Sequence, residues 1–141
     1  MNLYKKVEYL LYNYKNLKAE IKNIELEIES IANDYNSSLA ISYEEKSAPT
    51  NKISSSVENK VVSKEEKIKY LQDIKRNKEI QVQKIDNALE SLAERDKKVI
   101  ELRYFEKISN KKLAERLDLT EQRVSEIKSI IVNNLIKLIF V

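Results

Sequence analysis

The stretch LAERDKKVIELRYFEKISNKKLAERLDLTEQRVSEIKSIIVNNLIKL, residues 92–138, reads as three helices joined by two short connections. The first covers Glu94 to Phe105, with Val99, Ile100 and Leu102 apolar and Tyr104-Phe105 closing it. Ile108-Ser109 leads into a second helix, Asn110 to Leu117, and Ser109 carries the short hydroxyl side chain that caps a helix start. Asp118-Leu119-Thr120 is the turn. Thr120 caps the third helix, Glu121 to about Leu138, and Glu121 sets negative charge at its positive end.

Spacing carries more weight than the helices themselves. Leu113, Ala114, Leu117, Leu119, Val124 and Ile127 form the pattern L-A-x-x-L-x-L-x(4)-V-x-x-I. Two helices that cross steeply and closely need a small residue at the crossing, and Ala114 supplies it. Leu117, Leu119, Val124 and Ile127 then make the small core between them. The pattern is that of a helix-turn-helix. It leaves Glu121, Gln122, Ser125, Glu126 and Lys128 facing outward near the start of the third helix, the part that enters a major groove. Gln122 suits adenine, Glu126 suits the cytosine amino group, and Arg123 and Lys128 suit guanine or phosphate. Lys111 and Lys112, at the start of the second helix, are placed for the phosphate backbone, and Thr120 joins the same DNA-facing set. Two plainer readings stand beside this one: a small three-helix bundle, and a charged face that is merely solvated. Tyr104 and Phe105 read as core rather than as stacking platforms.

Composition agrees with helices. The 141 residues contain no glycine and one proline, Pro49, whereas a β-rich fold needs both at its turns. The expected fold class is therefore all-α. At 42% apolar and 35% charged residues, the chain is too apolar for wholesale disorder and too charged for a membrane protein. Absent cysteine excludes disulfides and thiolate metal sites. Absent histidine removes the commonest general base and zinc ligand. Without glycine there is no phosphate-cradling loop, so neither an enzyme nor a cofactor is expected. From Glu94 to Val141 there are 11 basic and 8 acidic residues, which accounts for the whole net charge of +3. Basic excess in the helix-turn-helix third suits a nucleic-acid partner. No apolar signal core follows Met1 to Lys6 and no run is long enough to span a bilayer, so a cytoplasmic, non-membrane location is expected.

The first 92 residues form an expected helical region distinct from a domain at 93–141. Val7, Tyr14, Ile21, Ile28 and Tyr35 at a positions alternate with Leu3, Leu10, Leu17, Ile24 and Ile31 at d positions, nearly five heptads of one helix about 50 Å long. Residues 36–62 are rich in Ser and Asn, carry Pro49 and show no clear period, which reads as a linker. Ser63-Lys64-Glu65-Glu66 looks like a capping box that opens another helix, with Leu71, Ile74, Ile85, Ala88 and Leu92 on its stripe. A parallel homodimer of the first helix would set Glu20 against Glu25, whereas an antiparallel hairpin sets acid beside base. Residues 20–34 carry Glu20, Glu25, Glu27, Glu29 and Asp34 against Lys22 alone. Residues 64–78 carry Lys64, Lys67, Lys69, Lys75, Arg76 and Lys78 against Glu65, Glu66 and Asp73. The expected architecture is thus a long helical hairpin or coiled coil followed by a three-helix domain. A two-helix hairpin leaves apolar surface uncovered, which points to a homo-oligomer through these helices.

Glu94-Arg95-Asp96, Val99 to Phe105, Leu113-Ala114-Glu115-Arg116-Leu117 and Thr120-x-x-Arg123-Val124-x-x-Ile127 together resemble region four of bacterial sigma factors. That region reads a promoter's upstream hexamer. The chain departs from it at Asp118, where the family often has glycine, and at Ser125, where primary sigma factors carry a basic residue. The layout of the whole chain resembles phage late transcriptional activators of the RinA and ArpU type, by arrangement rather than by matched residues. The resemblance implies a DNA-binding activator of phage or prophage genes, with double-stranded DNA and host RNA polymerase as partners. Two other readings remain open at this point: a packaging or structural adaptor that holds DNA, and an interaction protein that binds polymerase without reading DNA.

Overall fold

With no glycine and a single proline to interrupt the backbone ladder, long helices are the natural outcome. The computed structural model describes residues 2–45 and 51–140, and side chains over 2–34 and 63–140. It is all-α, with no strand among the described residues. Helix α1 is Leu3–Tyr12, α2 is Tyr14–Glu45, α3 is Asn51–Glu90 and α4 is Glu94–Ile100. A π-helical turn, Glu101–Phe105, prolongs α4. Helix α5 is Asn110–Leu117 and α6 is Glu121–Ile139. The chain divides into two compact units: residues 1–18 with 80–141, and residues 19–79.

In the first unit α6 is central. Helices α1 and α5 both pack against it, and α1 also lies on the π-helical turn. The core joins Val7 and Leu11 of α1, Ile85, Ala88 and Leu89 of α3, Val99 and Ile100 of α4, and Val124, Ile127, Ile131, Val132 and Leu135 of α6. Each of the larger side chains, Ala88 apart, contributes about 1.5–3 kcal/mol when removed from water. Tyr104 is wholly buried, and its hydroxyl donates to Glu8 Oε2 at 2.7 Å. Its ring meets the Tyr12 ring edge-on at 4.9 Å between centroids. Burial, and then the bond to Glu8, pushes the Tyr104 phenol well above its ordinary range. Phe105, half-buried, stacks on Tyr14 at 4.4 Å, and the Tyr14 hydroxyl donates to Asp86. Burial and that bond push the Tyr14 phenol up to about 12.

The second unit pairs stretches of α2 and α3. Glu20 meets Lys78 at 2.7 Å and Glu25 meets Lys75 at 3.3 Å, so residue numbers rise on one helix as they fall on the other. The helices are antiparallel, with the acid-beside-base pairing expected of a hairpin. Ile31 is buried, while Ile21, Ile24, Ile28, Ile68, Leu71 and Ile74 are partly covered.

Four expectations change. The helix expected from Leu3 to Tyr35 is interrupted at Asn13, whose backbone sits at φ −96°, ψ 6°. The interruption shifts the register, so that Leu11 is fully buried, Leu10 only partly, and Leu3 is exposed. The residues expected as a linker at 36–62 are helical up to Glu45 and again from Asn51. Pro49 and the rest of 46–50, and the side chain of Tyr35, lie outside the described residues. The capping box at Ser63 opens no helix, because α3 passes through it. Finally, residues 1–18 and 80–92 belong with the helix-turn-helix, so the unit boundary does not fall at 92/93.

Candidate nucleic-acid interface

Local chemistry sets the helix-turn-helix residue by residue. Ser109 Oγ accepts from the Lys112 backbone N–H at 3.2 Å and starts α5. At the other end Asp118 takes a left-handed conformation, φ 57° and ψ 45°. The Leu119 N–H then reaches the Ala114 carbonyl at 2.9 Å and the Asp118 N–H the Glu115 carbonyl at 3.4 Å. Those two bonds are a Schellman motif, which ends α5 and turns the chain. Thr120 Oγ1 accepts from the Arg123 N–H at 3.1 Å and starts α6. Leu113, Ala114, Val124 and Ile127 are buried between the two helices, with Leu117 and Leu119 partly so. Both expected caps, the turn and the small core are present.

Around this frame Lys111, Lys112, Thr120, Glu121, Gln122, Arg123 and Glu126 are exposed. Arg123 Nη1 lies 3.2 Å from Glu126 Oε2, one turn along the same face. The first two turns of α6 thus display two carboxylates and one guanidinium, and general attraction for phosphate does not come from them. Lys107, Lys111, Lys112 and Arg116, all exposed, carry the positive charge on and before α5. Such a division suits phosphate contacts by α5 and base contacts by α6.

Two of the expected outward residues are placed differently. Lys128 is not outward: its side chain is 15% exposed, with Nζ 3.6 Å from Glu8 Oε2 on α1. Ser125 is partly buried and its Oγ accepts from Asn110 Nδ2 at 3.4 Å. Asn110 Oδ1 in turn accepts from Arg103 Nε at 2.7 Å. The Arg103 guanidinium lies over the rings of Tyr12, at 5.5 Å, and Tyr104, at 5.6 Å. A chain of side chains therefore runs from α1 through the π-helical turn and the start of α5 to the reading helix. Glu8, Tyr12, Arg103 and Asn110 had no signal in the local pattern, because their partners lie as far as 120 residues away along the sequence.

Residues 88–135 match the family described as Sigma-70, region 4. The match covers about a third of the chain and includes the end of α3, in keeping with the burial of Ala88 and Leu89. No curated protein and no solved structure matches the chain. The matched stretch is a sigma region-four-like helix-turn-helix, a DNA-binding unit of the transcription machinery.

Proposed function

We propose that the protein is a sequence-specific transcription regulator that activates phage or prophage promoters together with host RNA polymerase. One observation carries this reading: the sigma region-four-like stretch folds as a capped helix-turn-helix with Glu121, Gln122, Arg123 and Glu126 exposed on the first turns of α6. Lys111, Lys112 and Thr120 belong to the same interface, and Ser125 borders it. Lys128 contributes by holding α6 to α1. The likeness to region four supports polymerase as a partner, and the layout of a helical N-terminal half before the reading unit supports the phage-activator role. The N-terminal helices make the protein a homo-oligomer that works in the cytoplasm. No helix among the described residues is long and apolar enough to cross a membrane.

Footprinting on the DNA next to the protein's own coding region tests this. The expected result is a protected site of defined sequence that strengthens when polymerase is added. Protection that ignores sequence would contradict it. A second reading, binding to polymerase without DNA, is favoured by the Arg123–Glu126 pair and by Glu121, which leave the reading face almost neutral. Under that reading polymerase is retained by the protein while Arg123→Ala leaves every DNA measurement unchanged.

A further inference from the structure

We propose that the paired stretches of α2 and α3, residues 19–34 and 63–79, dock flank to flank on the same stretches of a second copy of this chain, about a two-fold axis parallel to the helices. This names the partner and the surface for the homo-oligomer assigned above. It does not depend on which DNA sequence is read.

Charge is the first argument. The α2 side of the pair, residues 20–34, carries Glu20, Glu25, Glu27, Glu29 and Asp34 against Lys22 and is net acidic. The α3 side, residues 64–79, carries Lys64, Lys67, Lys69, Lys75, Arg76 and Lys78 against Glu65, Glu66, Asp73 and Glu79 and is net basic. Within one hairpin Glu20 and Glu25 are matched to Lys78 and Lys75. Glu27, Glu29, Lys67 and Lys69 join no ion pair between described residues. Each hairpin thus presents one acidic edge and one basic edge, both partly unmatched. A partner that fits must present the reverse, and a second copy turned about that axis does so. It places α2 beside the second copy's α3 on one side and α3 beside the second copy's α2 on the other. Every neighbouring pair is then antiparallel and oppositely charged. The alternative, with α2 beside α2, sets carboxylate against carboxylate, which interfaces of this kind reject.

The second argument is apolar. Ile24 and Ile74 remain partly exposed in the hairpin, and Tyr70 is 66% exposed. Tyr70 stands three residues after Lys67 and four before Ile74, so all three share one flank of α3. Glu27 stands three residues after Ile24 and four before Ile31, so these share a flank of α2. One flank of the hairpin therefore combines apolar side chains with unmatched charge of both signs. That composition matches the packed seam and charged edges of a four-helix bundle. Leu26, 63% exposed, shares neither a three- nor a four-residue spacing with the stripe and lies off this flank.

Sedimentation equilibrium of the full chain without DNA is the test. The expected species is a dimer. Tyr70→Asp, with unchanged helical circular dichroism, weakens it at least tenfold, and Leu26→Asp leaves it intact. Asp34→Lys and Lys67→Glu each weaken self-association, whereas an equimolar mixture of the two variants restores a heterodimer, because in the register set by Glu20–Lys78 and Glu25–Lys75 each reversed charge then meets its opposite. A monomer or a larger species from the unaltered chain would overturn the proposal. So would equal damage from Leu26→Asp and Tyr70→Asp, or a mixture that fails to recover. Binding of the monomeric Tyr70→Asp variant to a single half-site, and its relaxed sequence preference on adding Arg123→Ala, reports the DNA reading separately. Either claim can therefore fail while the other stands.

Discussion

Asp118 occupies the one turn position of the helix-turn-helix that a Cβ disfavours, with φ at 57°. Aspartate tolerates this region better than most residues, which explains how the chain makes this turn without glycine. Asp118→Val is expected to lower stability by more than about 1 kcal/mol in urea titration, because a β-branched residue is strained there, while Asp118→Gly is at least neutral. Thr120→Ala removes the acceptor that starts α6 and is expected to cost about 1 kcal/mol in the same assay. The buried phenols make a further residue-scale prediction. Tyr14 and Tyr104 both hold their protons more tightly in the fold than in the unfolded chain, where a tyrosine ionises near pH 10. Each contribution is therefore complete below about pH 10 and falls as the pH rises above it; that of Tyr14 is lost as the pH passes about 12, its folded value, and that of Tyr104 declines over a range that extends higher. Tyr14→Phe should blunt the fall in stability between those pH values, and a fall of unchanged steepness would refute the assignment. Caps and turn were legible in the sequence because a cap acts within three residues of its helix start. Lys128 was not, because what turns it inward is Glu8 on another helix.

At the scale of elements, α1 is a wall of the helix-turn-helix unit rather than the start of a free coiled coil. Leu11→Ala is expected to destabilise the unit by about 2–5 kcal/mol, since Leu11 is fully buried there. Near-UV circular dichroism and DNA binding should fail together on heating, and loss of one without the other would contradict this role. Glu8→Ala leaves the Tyr104 hydroxyl and the Lys128 ammonium without their shared partner, so it is expected to cost more than an exposed ion pair would. The three helices of residues 94–139 were legible almost to the residue, since apolar spacing and polar caps agree there. The N-terminal stripe was legible as helix but not in register. Leu10 satisfies the heptad, yet packing on α6 and on the π-helical turn selects Leu11, and Asn13 absorbs the difference. The Ser- and Asn-rich stretch misled for another reason. Such residues weaken a helix by only a few tenths of a kcal/mol each, and without glycine nothing forbids the flanks of residues 46–50 from staying helical.

Across the whole molecule, the proposed division of labour is between a reading unit and a pairing unit. Phosphate attraction is assigned to α5, so Lys111→Ala and Lys112→Ala should weaken binding to all sequences alike and lower the salt slope by about 1 each. Base discrimination is assigned to the first turns of α6, so Gln122→Ala and Arg123→Ala should relax preference at single positions, by about 1–3 kcal/mol each, with little change in that slope. The helix-turn-helix and the hairpin were both legible as units from spacing and charge. Their boundary was not, because residues 1–18 join the C-terminal unit through contacts that no local pattern records. Selecting binding sites for the full chain from a random DNA pool tests whether α6 reads DNA through Gln122, Arg123 and their neighbours. The expected outcome is one enriched motif, with information lost at a defined position when the selection is repeated with Arg123→Ala. No enrichment, or an identical motif from the Arg123→Ala and Gln122→Ala variants, would contradict it.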